Sequence, residues 1–390
     1  MSLDNEKLFN FFLLKVSSRC NLNCSYCYEY NSFDQSWLKK PKLMSNEVLT
    51  KAVERIKTHI TKHNLKNITI IFHGGEPLLA PQEFYKTSVK LFDEGLKDIC
   101  NVKYGIQTNG VLLNESWVLL LTKLNIGIGI SVDGNEKATT VYRVDHKGNS
   151  SFPKLEKALK LLKDKEAKFG ILTVMNPEFD PVEIFEYLYQ FNPFQIDFLF
   201  PHRNHSNPPN LSYESETGYG YGKWLSNVFD YWWKKDLSET NVRIFADIIH
   251  LLLGGKYATE SLGLAPIGIG AIQTDGGYEA VDSLKSTYDG AVATGKTVFD
   301  ADIDKIIEHS LIGTRMERVG SLCSDCRACK YVNVCGGGYM PHRYHPTKGF
   351  SAPSIYCQDL KFIIQHIANA LYQENDLNMC NQITNILQPL

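Results

Sequence analysis

Three cysteines near the amino end of the chain have the spacing of an iron–sulfur ligand set. Cys20, Cys24 and Cys27 form a C-x3-C-x2-C triad (C-N-L-N-C-S-Y-C). Three thiolates can bind three irons of a cubane cluster, whereas most iron–sulfur sites are closed by four cysteines. The triad therefore predicts a 4Fe–4S cluster with one iron open to a substrate or a cofactor.

A zinc site is the alternative interpretation of this triad. Structural zinc sites usually combine one C-x2-C pair with a second pair of ligands. The nearest histidines along the chain are His59, His63 and His73, and the first two fall in a predicted helix. Because no fourth ligand follows at zinc spacing, the triad favours the open cluster.

A second group of cysteines lies near the carboxyl end. The four that can close a metal site are Cys326, Cys329, Cys335 and Cys357. Taken alone, four thiolates suit either a closed iron–sulfur cluster or a structural zinc ion. Cys323 is a fifth thiol, either a spare or an alternative ligand. Cys100 and Cys380 are isolated and are most simply interpreted as buried thiols.

Three polar loops follow predicted strands. The first, 73–77, reads H-G-G-E-P, and its glycines let the backbone approach a ligand closely. The second (107–110, Q-T-N-G) and the third (131–134, S-V-D-G) end the next two strands. Asn-Gly and Asp-Gly are ordinary turn signals, but barrel enzymes place their active sites at the carboxyl ends of strands. The three loops predict a ligand site, in which His73 braces the first loop rather than contacts the substrate.

The segments that carry these loops alternate between strand-like and helix-like patterns. β-Branched runs such as N-I-T-I-I-F suit a buried parallel sheet. The predicted strands are 11–17, 67–72, 102–107, 126–132, 168–174 and 195–200, and the predicted helices are 46–63, 81–97, 115–124, 152–165 and 181–190. Strand–helix alternation with short connections is typical of right-handed βαβ units, so we expect an α/β fold with a parallel sheet.

The pattern changes after residue 201. Residues 202–220 are polar and rich in Asn, Ser, Pro and Gly, which predicts a long loop of the kind that often covers a binding site. Two helical stretches and then Gly-rich turns with clustered cysteines follow. We therefore expect an α/β domain over 1–215, a helical linker over 216–262 and a cysteine-containing domain over 263–390.

Composition narrows the class of protein. The 390 residues are 43% hydrophobic and 22% charged, with a net charge of −2, as in an ordinary globular protein. No electrostatic case exists for binding nucleic acid or an anionic membrane. No apolar run approaches the roughly 20 residues of a membrane span, and no signal peptide is visible.

Ten cysteines in a chain without an export signal indicate metal or redox work. We expect a cytoplasmic protein that works at low oxygen.

The cysteine triad, the G-G-E-P loop and the strand–helix order resemble the radical SAM enzymes. The resemblance implies a partial (β/α)6 barrel whose open iron binds S-adenosylmethionine, which an electron from the cluster cleaves to a 5'-deoxyadenosyl radical. It implies that the G-G-E-P loop holds the ammonium group, and that Ser131 and Arg143 match positions that bind the ribose and the carboxylate. The full set of implied cofactor-binding residues is Gly74, Gly75, Glu76, Gln107, Asn109, Ser131 and Arg143.

The C-terminal cysteines are similar to those of the SPASM domain, an extension that carries auxiliary 4Fe–4S clusters. Behind a radical SAM core, this resemblance favours iron and sulfur over zinc for the four-cysteine set. The two-cluster form of the domain has further cysteines at positions that Val281 and Tyr339 occupy here. We therefore expect one auxiliary cluster, closed by protein thiolates and used for electron transfer or for structure.

Three further segments resemble the cyclophane-forming peptide maturases of the XyeB/GrrM/FxsB type. They are 274–286 (T-D-G-G-Y-E-A-V-D-S-L-K-S), 335–344 (C-G-G-G-Y-M-P-H-R-Y) and 349–360 (G-F-S-A-P-S-I-Y-C-Q-D-L). The resemblance implies modification of a ribosomally made precursor peptide, in which an aromatic ring carbon is joined to the β-carbon of another residue. It also implies a reductant such as flavodoxin or ferredoxin as a partner.

Asp282 is the candidate catalytic base, because it matches a proposed base in related anaerobic sulfatase maturases. The new carbon–carbon bond leaves a radical that must lose a proton and an electron, and a carboxylate can take the proton. The alternative is a solvated Asp at the end of a strand. Two other functions stay open: formylglycine formation by an anaerobic sulfatase-maturase type of enzyme, and an iron–sulfur or zinc protein without catalysis.

Overall fold

A computed structural model describes residues 8–209, 220–256, 259–266, 268–374 and 376–390. Its strands are β1 (Phe11–Ser17), β2 (Asn67–Gly74), β3 (Asn101–Thr108), β4 (Ile126–Ser131), β5 (Phe169–Val174), β6 (Gln195–Leu199), β7 (Asn241–Val242), β8 (Ile269–Ile272), β9 (Gly277–Glu279) and β10 (Ala293–Thr297). The six strands expected before residue 201 are all present, each within two residues of its expected bounds. The expected loop over 202–220 lies largely outside the described residues.

The α-helices are α1 (Asn46–His63), α2 (Gln82–Leu96), α3 (Glu115–Lys123), α4 (Glu136–Tyr142), α5 (Phe152–Asp164), α6 (Pro181–Tyr189), α7 (Gly220–Lys234), α8 (Arg243–Leu252), α9 (Ser310–Met316), α10 (Ser324–Arg327), α11 (Val332–Cys335), α12 (Cys357–Gln373) and α13 (Leu377–Ile386). Short 3₁₀ helices cover Ser36–Lys39, Pro77–Leu79, Asp282–Ser286, Ile303–Glu308 and Met340–Arg343. None of the helices in the described ranges is long and apolar enough to cross a bilayer.

The chain divides into two compact units that interleave along the sequence. One unit contains Met1–Val132, Thr139–Gly170 and Ile267–Met316, and the other contains Asp133–Ala138, Ile171–Pro266 and Glu317–Leu390. The domain bounds expected from the sequence (1–215, 216–262 and 263–390) are contiguous and do not follow this division. The division reflects contacts within the chain and does not test which segments fold independently. The expected bounds therefore stay a prediction.

The first unit is built on a mostly parallel sheet. β1 pairs with β2 on one side and with β8 on the other, β2 pairs with β3, and β3 with β4, all in parallel. β9 and β10 continue the sheet beyond β8 as antiparallel strands. Parallel strands joined by helices are the expected α/β architecture, which is thereby confirmed. All carboxyl ends of β1 to β4 therefore lie at one edge, where the expected polar loops follow.

Helix α1 covers one face of this sheet with its apolar side. Ser45 caps the helix by accepting a hydrogen bond from the Val48 amide, and Asn64 ends it in a left-handed conformation with φ of +52°. The side chains buried on the inner face are Val48, Leu49, Ala52, Val53, Ile56, His59 and Ile60. Each fully buried aliphatic side chain contributes about 1.5–3 kcal/mol. His59 is the one imidazole among them.

The second unit is largely helical. β6 pairs in parallel with β7, and helices α7, α8 and α12 pack together within this unit. The core of α12 is formed by Leu360, Ile363, Ile364, Ile367, Ala368 and Leu371, all buried. Cys335 ends α11 and Cys357 begins α12, so this core positions two of the four C-terminal ligands.

Candidate active site

The cysteine triad lies on the loop that follows β1. Cys20, Cys24 and Cys27 are partly buried free thiols. The Cys27 amide donates to the Cys24 carbonyl at 3.0 Å, and the Leu22 amide donates to the Cys20 sulfur at 3.4 Å. Burial raises the pKa of Cys20 and of Cys27 to about 12. Such thiols stay protonated until a metal displaces the proton, and amide donors to sulfur are typical of an iron–sulfur ligand set.

Backbone hydrogen bonds join the segment after Gly74 to the end of β1 and to the loop that follows it. The Gly75 amide donates to the Ser17 carbonyl at 2.8 Å, and the Glu76 amide donates to the Arg19 carbonyl at 2.9 Å. Gly74 has a φ of +146°, and a Cβ there would lie 2.2 Å from the Ser17 oxygen. A Cβ on Gly75 would lie 2.5 Å from the Arg19 oxygen. Only glycine fits at either position.

Glu76 is fully buried and braces the neighbouring loops. Its carboxylate accepts hydrogen bonds from the Thr108 hydroxyl at 2.6 Å, from the Asn109 amide at 2.8 Å and from the Leu78 amide at 2.9 Å. Burial raises the pKa of Glu76, and these hydrogen bonds offset part of the rise. Through these hydrogen bonds Glu76 fixes the backbone of 74–76 against the end of β3. The part of Glu76 in binding the cofactor, which the resemblance implies, stays a prediction.

Two of the remaining residues predicted to bind the cofactor, Asn109 and Arg143, contact the cysteine loop. Asn109 donates from Nδ2 to Asn21 Oδ1 at 2.8 Å and also lies 3.6 Å from the Cys20 sulfur. Arg143 is buried and donates from its guanidinium to the Tyr26 hydroxyl at 2.7 Å. Gln107 Nε2 donates to Ser131 Oγ at 2.8 Å. The first two contacts tie β3 and the segment after α4 to residues between the cysteines.

His146 is a neighbour of the triad that the sequence did not indicate. One of its ring nitrogens lies 2.9 Å from the Cys20 carbonyl oxygen. It stands in a polar turn after α4, and no motif or spacing marks it, so no signal in the sequence could have found it.

Asp282 is 5% exposed and belongs to a buried network of charges. It lies at the start of the 3₁₀ helix that follows β9, and its Oδ2 is 2.6 Å from the Lys15 ammonium. Tyr28 donates from its hydroxyl to the same oxygen at 3.0 Å. His73 Nδ1 lies 3.8 Å away. The alternative of a solvated carboxylate is therefore wrong, and Asp282 contacts a residue directly after Cys27.

The network continues beyond Asp282 through four charged side chains. Lys15 also lies 3.1 Å from Glu29, Glu29 lies 2.7 Å from Lys285, and Lys285 lies 3.4 Å from Glu279. All of them are buried. Removing one partner of such a buried pair costs about 3–5 kcal/mol, because the other charge is left uncompensated. The network thus holds the cysteine loop, β1 and the 282–286 helix together.

Asp282 is ionised and His73 is neutral in this environment. Burial opposes ionisation of Asp282, but the charge of Lys15, its hydrogen bond and the other nearby positive charge of Lys285 together hold the pKa of this carboxyl well below its usual range. Burial and the nearby Lys15 charge lower the pKa of His73 to about 4. The site therefore holds an ionised carboxylate beside an uncharged imidazole.

Among the charged residues in the network around Asp282, Lys15 is the one whose burial the sequence indicates. It interrupts the apolar run F-F-L-L-K-V-S of β1 at a buried position. A lysine inside a buried strand needs a paired charge. Glu29, Lys285 and Glu279 sit in polar segments where charged residues are ordinary, so their burial could not be foreseen.

The C-terminal cysteines lie together in the second unit. Cys326 belongs to α10, and the Cys329 amide donates to its carbonyl at 3.1 Å. Burial raises the pKa of Cys335 to about 12, with further increments from the neighbouring Cys357 and Cys329 thiols. Burial also raises the pKa of Cys326 well above its usual range, and the neighbouring Cys323, Cys335 and Cys357 thiols raise it further. Thiols that interact with one another and are difficult to ionise alone are suited to binding one multi-iron centre.

Tight turns and arginines surround these cysteines. Gly336 follows Cys335 with a φ of +60°, and a Cβ there would lie 1.8 Å from the Gly263 oxygen. Arg318 donates to the Gly336 carbonyl at 3.3 Å. Burial lowers the pKa of Arg343, and the nearby Cys326 and Cys323 thiols act in the opposite direction. Guanidinium groups here would compensate the negative charge of a thiolate-bound cluster.

Comparison with known proteins gives consistent matches. Residues 14–188 match the radical SAM superfamily. A cysteine-type anaerobic sulfatase-maturating enzyme of Clostridium perfringens is 27% identical over 380 residues, which cover 94% of this chain and 97% of that protein. The solved structure of anSMEcpe with bound AdoMet superposes with a TM-score of 0.79 at 24% identity, over 96% of this chain and 99% of that one. SuiB of Streptococcus suis bound to the precursor peptide SuiA superposes at 0.59 and 15% identity, over 90% of this chain and 76% of that one.

These matches correct the function expected from the sequence. The cyclophane-forming activity is wrong, because relatives that match over more than 90% of this chain, such as that of Clostridium perfringens, are sulfatase-maturating enzymes. Of the segments that resemble cyclophane-forming enzymes, 274–286 contains β9 and the 3₁₀ helix that begins at Asp282, 335–344 begins at the last residue of α11, and 349–360 leads into α12.

Proposed function

From the premise of a radical SAM domain over residues 14–188, we propose that this protein is a peptide-modifying enzyme of the anaerobic sulfatase-maturating type. Its reaction is oxidation of the β-carbon of a cysteine or serine residue in a peptide to the aldehyde of formylglycine. Similarity over 94% of this chain to a sulfatase-maturating enzyme supports the reaction type. The buried Asp282 carboxylate beside the cysteine loop is the observation that carries the chemistry.

The cofactors expected from the sequence, S-adenosylmethionine with its 4Fe–4S cluster and auxiliary iron–sulfur, are confirmed as those of this class of protein. When bound, they supply hydrogen-atom abstraction and electron acceptance. Cys20, Cys24 and Cys27 would hold the first cluster, and the donor set of three thiolates with amide donors fits it. The backbone of 74–76 and the side chains of Gln107, Asn109, Ser131 and Arg143 would hold S-adenosylmethionine.

Asp282 is proposed as the proton acceptor. Oxidation of the β-carbon of serine or cysteine to a carbonyl or thiocarbonyl removes one hydrogen atom from Cβ, one proton from the hydroxyl or thiol, and one electron. Water then converts a thiocarbonyl to the aldehyde, and the sulfur leaves as hydrogen sulfide. The ionised Asp282 takes the proton. Lys15 and Tyr28 hold the accepting oxygen in place at 2.6 and 3.0 Å. Lys15 keeps Glu29 as a partner after Asp282 is neutralised, so no buried ammonium is left unpaired.

The substrate is a peptide. The structure of anSMEcpe with AdoMet and the Cp18Cys peptide and that of SuiB with SuiA are complexes of similar folds with peptides. A flavodoxin- or ferredoxin-class reductant and a cytoplasmic location remain predictions, as does the absence of nucleic acid and membrane partners.

Identification of the reaction product tests the proposed formylglycine formation. Anaerobically reconstituted protein would be incubated with S-adenosylmethionine, dithionite and peptides that contain a single cysteine or serine. We expect an aldehyde that a hydrazide reagent traps, located at that residue by mass spectrometry. A peptide that loses two hydrogens without forming an aldehyde would contradict formylglycine formation while leaving radical chemistry intact.

Iron content tests the number of clusters. We expect about eight irons per reconstituted chain, four for each of two clusters, and about four in Cys335→Ala. Cys323→Ala is the matched control, since it removes a neighbouring thiol outside the proposed ligand set and should keep about eight. A wild-type content of about twelve would contradict a single auxiliary cluster. Loss of iron in Cys323→Ala would make Cys323 a ligand.

A further inference from the structure

A group of metal-ligating side chains lies away from both cysteine sets. His59 and His63 stand one turn apart on α1 and face Asp304 of the 3₁₀ helix Ile303–Glu308. One ligand atom from each of these residues, here called the His-His-Asp cluster, lies within 4.8 Å of the other two. Histidines at i and i+4 project from the same face of a helix, which is a common arrangement in zinc sites.

The hydrogen bonding of His59 is incomplete without a cation. His59 is 2% exposed, and one ring nitrogen, Nε2, lies 3.0 Å from the Phe9 carbonyl oxygen. Its Nδ1 lies 2.5 Å from Asp304 Oδ1. A carbonyl and a carboxylate can only accept, and a neutral imidazole has a single N–H to donate. One of the two contacts is therefore a lone pair facing an acceptor, unless the ring is charged or a metal ion binds the bare nitrogen.

A divalent cation satisfies both groups of this contact. Bound to Nδ1 of His59, it takes the lone pair of a neutral imidazole and leaves the Nε2 proton for the Phe9 carbonyl. It also compensates the charge of the Asp304 carboxylate, which His63 and Lys62 approach from the same helix.

Two further features fit a metal ion. A zinc-bound histidine usually donates its other N–H to a backbone carbonyl, which is the role of Phe9 oxygen here. His63 Nε2 lies 3.0 Å from Asp304 Oδ2, and both side chains are partly exposed, so ions can enter and a water can complete the site. A tetrahedral zinc ion would hold its ligand atoms about 3.3 Å apart. The His59–Asp304 contact therefore needs to open by less than an ångström.

We propose that the His-His-Asp cluster binds a zinc-class divalent cation through His59 Nδ1, His63 Nε2 and an Asp304 oxygen, with water as the fourth ligand. The ion would link α1 to the 303–308 segment within the first unit. Lys62 is the competing group, since its ammonium lies 2.6 Å from Asp304 Oδ2. Its side chain is 61% exposed and can turn to solvent when the ion binds.

The test uses the reconstituted holoenzyme, whose loaded clusters occupy the cysteines, dialysed against buffered zinc. We expect about one tightly held zinc per chain, and an X-ray absorption spectrum with nitrogen and oxygen neighbours at about 2.0 Å and no sulfur at about 2.3 Å. His63→Ala and Asp304→Asn should weaken zinc binding at least about 100-fold. Lys62→Gln should strengthen it, because a competing charge is removed.

His250→Gln, at an exposed histidine outside the cluster, is the control and should bind zinc as wild type does. A sulfur shell around the zinc would assign the metal to cysteines and overturn the proposal. So would a holoenzyme that retains no zinc, or equal affinity in His63→Ala and wild type. Because zinc content and absorption spectra do not depend on turnover, the result is independent of the proposed formylglycine activity.

Discussion

Replacing Cys24 with alanine is expected to abolish 5'-deoxyadenosine formation. Two thiolates cannot hold the cluster that the loop after β1 is built to carry, and S-adenosylmethionine then has no open iron to bind. The measurement is chromatographic detection of 5'-deoxyadenosine from reconstituted protein reduced with dithionite. We expect the yield to fall to background, while the four C-terminal cysteines still bind about four irons.

Cys100→Ala is the matched control for this experiment. Cys100 is a buried thiol in the same unit, directly before β3, and it belongs to neither cysteine set. Its replacement should leave the yield of 5'-deoxyadenosine unchanged. If Cys24→Ala still produced 5'-deoxyadenosine, the triad would not be the ligand set and the radical chemistry would have to be located elsewhere.

Asp282→Asn is expected to lower product formation by a factor of about 10² or more, with 5'-deoxyadenosine still formed. An amide cannot take the proton that oxidation of the peptide releases, although it keeps the shape of the carboxylate. Cleavage of S-adenosylmethionine depends on the cysteine triad and should continue. The measurement is the ratio of aldehyde product to 5'-deoxyadenosine in the same reaction.

Asp282→Asn also removes a charge from beside the Lys15 ammonium, so a loss of stability must be separated from a loss of catalysis. Lys15 keeps Glu29 as a partner in this variant, so we expect Asp282→Asn to stay folded. Its thermal melting midpoint is measured beside that of wild type, and product formation should be low in protein that is fully folded. Full product formation in a folded Asp282→Asn variant would remove Asp282 from the reaction.

The sequence predicted the sheet well because short-range patterns determine it. β1 to β6 are runs of β-branched and aromatic residues between helices with 3.6-residue periodicity, and each was located within two residues. The Cys20–Cys27 spacing identified the loop after β1 for the same reason, since the ligands are close in sequence. The cofactor classes followed from that loop.

The charge network could not be predicted because its contacts are distant in sequence. Lys285 and Glu29 are 256 positions apart, yet they lie 2.7 Å from each other. Glu76 illustrates a different difficulty: its position was predicted, but its role depends on Thr108 and Asn109, which donate to it from the end of β3. The expected cyclophane reaction is wrong because it was inferred from short segments, whereas similarity over 94% of the chain favours a sulfatase-maturating enzyme.

The burial of Asp282 and Lys15 has a consequence for the ionic conditions in which the enzyme can work. Dissolved salt screens charges that water reaches, with a Debye length of about 8 Å at physiological ionic strength, and affects enclosed pairs much less. Exposed pairs such as Lys51–Glu54 weaken in concentrated brine. The Asp282–Lys15 pair, at 7% and 1% side-chain exposure, should keep its proton affinity from dilute buffer to molar salt.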